Sequence, residues 1–144
     1  MLKGADEPRV MVAVRRLARE LSDAKAALGD GATASELEAG ASALHAGVGL
    51  DLVARIGRAA KERTTPGRLV MPLVTLADMV ARNVSPLAAV GSIETLIGRG
   101  AVDSQFAALR SDVERDIAAG ERPDVAMQRR SASIVKGLDS RPRP

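Results

Sequence analysis

The chain has 144 residues, enough for one domain with a continuous core and too few for two ordinary ones. It has no Cys and one His, which excludes disulfides, thiol catalysis and a multi-histidine metal centre within one chain. Trp and Tyr are absent and Phe106 is the only aromatic residue, so bases or sugars have almost nothing to stack on. Lys and Arg total 21 against 18 acidic residues, a modest net charge of +3.

Ala occurs 26 times and Leu 15 times, and both favour helix. No period-2 alternation bounded by hairpin turns interrupts that bias. The first helix is expected over Pro8–Leu28. Val10, Val14, Leu17, Leu21, Ala24 and Leu28 are spaced 4, 3, 4, 3, 4, one continuous apolar stripe. Gly29-Asp30-Gly31 stops it. A second helix opens with the capping-box spacing Thr33-Ala34-Ser35-Glu36 and uses Leu37, Ala41, Leu44 and Val48. A third runs from Leu50 to Glu62 with Val53, Ile56 and Ala60 inward, and Arg63–Arg68 reads as a surface loop.

The fourth helix, Val70 to Arg82, is apolar over most of its circumference and should be central. Pro72 fits there only in the first turn. Ser85 and Pro86 are N-cap and first residue of a fifth helix carrying Val90, Ile93 and Ile97. Phe106, Leu109, Val113 and Ile117 face inward from a sixth. A seventh follows Pro123 to about Leu138, leaving 139–144 as a frayed tail on a single domain over 1–138.

Turn residues recur at Gly4, Gly47, Asn83, Gly100 and Gly120, at intervals of 43, 36, 17 and 20. The sequence therefore predicts an all-α fold of six or seven short helices, as a helical-hairpin stack or a compact bundle. The opening Leu2-Lys3-Gly4 reads as the last turn of a preceding helix with its Gly cap, so the natural protein is expected to begin upstream of Met1. The longest apolar run, Leu69 to Ala77, is too short for a bilayer, and no apolar leader is present. As it stands the pattern is cytoplasmic; a start further upstream would make it periplasmic or secreted.

Few residues suggest chemistry. His45 could be a general base or pH switch, but no partner stands three or four residues away. Asp78 and Arg82 are i, i+4 on the most apolar helix, with Thr75 one turn before; they form a pocket-lining pair or a rim ion pair. Asp112 and Asp116 share a face as cation ligands would, yet Arg110–Glu114 and Asp112–Arg115 spacings favour a solvated salt-bridge face. Ser133-Ile134-Val135-Lys136 has the Ser-x-x-Lys spacing without its companion motifs. Arg122, Arg129, Arg130, Lys136, Arg141 and Arg143 could meet phosphates, though amide side chains for reading bases are scarce.

Four stretches carry a resemblance: Lys3-Gly4-Ala5-Asp6, Ala41 to Val48, Pro72 to Asp78 and Asp112 to Ile117. On them, Gly4 to Gly120 resembles uncharacterised small Ala/Arg-rich all-helical bacterial proteins, often exported, with no assigned activity. That resemblance supplies no catalytic residue and no cofactor. The expectation is a non-catalytic interaction or structural module, with a protein partner or a second copy on the first-helix stripe. A weak charge-driven nucleic-acid binder is one alternative, recognised by steep salt sensitivity. A small-ligand carrier or enzyme is the other; it needs a deep pocket holding Asp78, Arg82 or His45 with a converging polar group.

Overall fold

Seven helices occupy the described chain, residues 3–60 and 67–140 of the computed structural model, and no strand lies among those residues. They are α1 (Lys3–Leu28), α2 (Ala34–His45), α3 (Leu50–Ala59), α4 (Val70–Ala81), α5 (Pro86–Gly98), α6 (Asp103–Ala118) and α7 (Pro123–Asp139). The fold class is all-α, as the 3–4 spacing of apolar residues implies.

Three boundaries depart from the sequence reading. Gly4, read as a C-cap, lies inside α1, which runs on through Pro8. A proline there forfeits one bond, to the Gly4 carbonyl, and its φ is already helical. The third helix ends at Ala59 rather than Glu62. Lys61–Pro66, most of the expected loop, lies outside the described residues, as does 141–144. Asp139, assigned above to the tail, belongs to α7 and pairs with Arg99 at the end of α5.

Four joints share one construction. After α2, α4, α5 and α6 a single residue turns left-handed: Gly47 (φ 105°), Asn83 (73°), Gly100 (81°) and Gly120 (100°). At each, two backbone N–H groups return to the helix just ended, as in Val48 N–H to Ala43 O and Gly47 N–H to Leu44 O, at 3.0 and 3.1 Å. This satisfies carbonyls that a helix end would otherwise leave unpaired. The residue after the turn also folds back onto the helix. Val48, Val84 and Ala101 are buried there against the side carrying Ala43, Met79 and Leu96. The fourth joint has Asp116 and Glu121 in those two places.

The joints within α2–α3, α4–α5 and α6–α7 fall at 47, 83 and 120, and long-range bonds show how these hairpins stack. α2, α4 and α6 lie side by side in one row, and α3, α5 and α7 in the other. Neighbours within a row run parallel. Glu36 near the start of α2 accepts from the N–H of Leu69 at the start of α4. Arg82 at the end of α4 pairs with Glu114 near the end of α6. Ser85 N–H, just before α5, donates to Asp124 in the first turn of α7 at 2.7 Å. Between the rows runs a single core including Val53, Ile56, Leu73, Leu76, Ile93, Leu109 and Met127. The expectation that α4 is central holds: Leu73, Thr75, Leu76 and Met79 are completely buried.

α1 closes one end of the stack by packing on both α2 and α3. Two glycines let it approach. A Cβ on Gly40 would come within 3.2 Å of the Ala24 Cβ, and one on Gly57 within 3.2 Å of Leu28 Cδ2. The close seating begins only past the middle of α1, and that limit defines the site below.

Candidate functional site

Burial along α1 changes abruptly. From Pro8 to Arg19 every residue is exposed; from Glu20 onward the helix is partly covered, and Ala24 is fully buried. The stripe therefore divides. Ala24 and Leu28 sit against α2 and α3 at Gly40 and Gly57, and Leu21 is partly buried, while Val10, Val14 and Leu17 are 56%, 54% and 53% exposed. Met11 and Val12 are about as open. A soluble domain seldom leaves such a run uncovered without a use for it.

Between this arm and α2 lies a groove of about 590 Å³. Ala13, Leu17, Leu21 and Ala41 make its apolar lining, with Arg16, Glu20, Glu38, Ser42 and His45 around them. His45 Nδ1 stands 3.3 Å from Glu20 Oε2, an ion pair whenever the imidazole is protonated. The partner comes from α1, 25 residues back, which is why no neighbour at i±3 or i±4 revealed it. A smaller concavity on the arm itself is lined by Pro8, Arg9, Val12, Ala13 and Arg16.

Most guanidiniums of the body are paired, though among the described residues Arg58 and Arg122 hold no acidic partner. Arg55, Arg82, Arg99, Arg110, Arg129 and Arg130 each hold an acidic partner. Arg9, Arg15, Arg16 and Arg19 hold none among the described residues. By helical spacing these four lie opposite the apolar stripe, with Val12 among them.

The other candidates are structural. Asp78 sits between two guanidiniums, Arg82 Nε at 3.3 Å and Arg110 Nε at 3.2 Å, and does not line the groove. Arg82 continues to Glu114 at 3.2 Å, so the cluster ties α4 to α6. Asp78 and Arg82 thus take the rim ion-pair form of the two open at sequence level. The Arg110–Glu114 pairing expected from i, i+4 spacing is not formed; both residues reach across to α4 instead.

Asp116 also departs from expectation. It is nearly buried rather than solvated. Arg130 donates to both its oxygens at 2.6 and 2.8 Å, and Arg129 donates to Oδ2 at 2.8 Å and on to Glu121. The Arg130 hydrogen bonds, helped by the nearby charges of Arg129 and Arg115, hold this carboxyl below the usual range against burial, which pushes it up. Arg129 and Arg130 are therefore paired with α6 and its joint. No group of three or more His, Asp or Glu side chains among the described residues could hold a metal ion. No described helix is long and apolar enough to cross a membrane.

No family model, curated protein or solved structure matches the chain.

Proposed function

We propose that this chain is a non-catalytic helical interaction module, a short solenoid-like stack that presents α1 to a protein partner. The observation that carries the reading is the apolar stripe of α1, partly covered from Leu21 to Leu28 with Ala24 buried, and open from Val10 to Leu17. An isolated helical arm of this length is marginal in water, and burial of an amphipathic face is what ordinarily stabilises one. His45 and Asp78, the polar residues best placed for chemistry, each answer a charged neighbour instead of converging on a shared cavity.

The test is the double substitution Val14→Asp/Leu17→Asp. Both side chains are exposed, so helical circular dichroism and the denaturation midpoint should stay as in the wild type. Affinity capture from the source cell, quantified against the wild-type chain, should lose its specific partners. Each residue has roughly 1 kcal/mol of burial left to contribute, so together they weaken binding by about tenfold or more. Capture unchanged by the double substitution would remove the arm from the function.

A further inference from the structure

The open half of α1 has a surface and a charge order that fit one occupant. We infer that the chain pairs with a second copy of itself, two α1 arms lying antiparallel with their apolar stripes together. This rests on the proposed interaction role and names the partner.

The face itself is uncharged. By helical spacing Ala13 and Ala18 flank Val10, Val14 and Leu17, Met11 borders them, and that side of the arm carries no charged residue from Val10 to Ala18. Arg9, Arg15, Arg16 and Arg19 lie away from it, so two arms can meet with their guanidiniums outward in water. The small alanines let two helices come close. A face with no charge to select a foreign partner is complementary to itself, which is what a two-fold contact needs.

The body fixes the direction. The same stripe, continued to Ala24 and Leu28, packs against α2 and α3. A parallel second α1 would run on into that space, whereas an antiparallel one leads away and puts the two bodies at opposite ends. Charge order along the helix favours the same direction. Lys3, Asp6 and Glu7 make the N-terminal stretch acidic, and Arg15, Arg16 and Arg19 stand nearer the body. Antiparallel arms set the acidic stretch of each copy beside the basic stretch of the other; parallel arms set like beside like. With those stretches aligned, the two-fold axis passes near Met11 and Val12. Val10 of one copy then comes opposite Ala13 and Val14 of the other.

Area sets the strength. Val10, Met11, Val14 and Leu17 are about half exposed, leaving about 350 Å² of apolar surface on each copy. With the alanines and the backbone between them, a pair buries about 1,000 Å² in all, the size of a reversible contact and not of an obligate one.

Sedimentation equilibrium of the full chain over a concentration series tests the pairing. The expected result is a reversible monomer–dimer equilibrium whose dissociation constant rises about tenfold or more in Val14→Asp/Leu17→Asp, with circular dichroism confirming the fold. The chain has no Cys, so single cysteines report the geometry. Met11→Cys, near the axis, should be linked by a short bismaleimide. Leu17→Cys, whose two copies stand about 16 Å apart along the axis, should not. A chain that stays monomeric at its highest soluble concentration, while Val14→Asp/Leu17→Asp still loses captured partners, overturns the inference and leaves the interaction module standing. A monomer whose captured partners ignore that substitution removes both. A dimer that ignores the substitution, or that links through Leu17→Cys as readily as through Met11→Cys, joins by another surface or in another direction and likewise overturns the inference.

Discussion

Replacing Glu36 tests how the hairpin stack is fastened. Its carboxylate is nearly buried, and each oxygen has a different task. Oε1 accepts the Thr33 N–H at 2.8 Å, completing the capping box of α2, and Oε2 accepts the Leu69 N–H at 2.9 Å, where α4 begins. The Thr33 bond is partly open to water, so its loss costs about 1 kcal/mol. The Leu69 bond is buried, and an orphaned N–H there costs about 1–3 kcal/mol. Glu36→Ala should therefore destabilise by about 3 kcal/mol. Glu36→Gln keeps one acceptor oxygen but turns an NH2 toward the other N–H, and should cost about 2 kcal/mol. Thr33→Ala removes only the hydroxyl that accepts from Glu36 N–H at 3.2 Å, and should cost about 1 kcal/mol. Urea unfolding followed by circular dichroism gives all three by linear extrapolation. The order Ala, Gln, then Thr33→Ala is the reasoning's signature. Equal effects for Glu36→Ala and Thr33→Ala would show that the link to α4 contributes nothing.

Four other outcomes are expected. The Thr75 hydroxyl is fully buried and has no hydrogen-bond partner among the described residues, so Thr75→Val should raise stability by about 1 kcal/mol in the same urea assay. Gly91 faces open space in mid-helix, and Gly91→Ala should stabilise by about 0.5–1 kcal/mol; Gly40→Ala, whose new Cβ meets the Ala24 Cβ at 3.2 Å, should destabilise and raise hydrogen exchange in α1. Asp116 has a folded-state pKa below its unfolded value of about 3.9. Its contribution is then present above that value and lost as pH falls toward the folded pKa, so acid unfolding below roughly pH 4 should be shallower in Asp116→Asn than in the wild type.

The local features were legible from sequence because their causes are local. Thr33 and Glu36 are three residues apart, and that spacing alone specifies the box. Gly47, Asn83, Gly100 and Gly120 mark their joints because a left-handed backbone selects Gly or Asn. What escaped was decided between helices far apart in sequence. Arg110 has Glu114 one turn away, an exposed helical pair worth only a few tenths of a kcal/mol, and Asp78 on the neighbouring helix prevails. His45 finds Glu20 only once α1 lies along α2. Asp116 left a signal that spacing analysis passed over. Among four matched joints, only the last is polar at both the residue folded back and the helix position it returns to. An apolar contact was replaced there by a charged one, and the cations that balance it, Arg129 and Arg130, stand on α7 eight residues and more beyond Glu121.

The arm of α1 follows from a mismatch of lengths. α1 has 26 residues and α2 has 12, so at 1.5 Å per residue about 39 Å of helix lies beside about 18 Å. The apolar stripe does not change where that support runs out; Leu17 continues the register of Leu21 and Ala24, yet only the latter two gain cover. The flanking charge does change. From Pro8 to Arg19 it is four arginines with no acid, whereas Glu20, Asp23 and Lys25 follow, Glu20 facing His45. The proposed interaction role rests on this stripe, built to pack and continued beyond its own body.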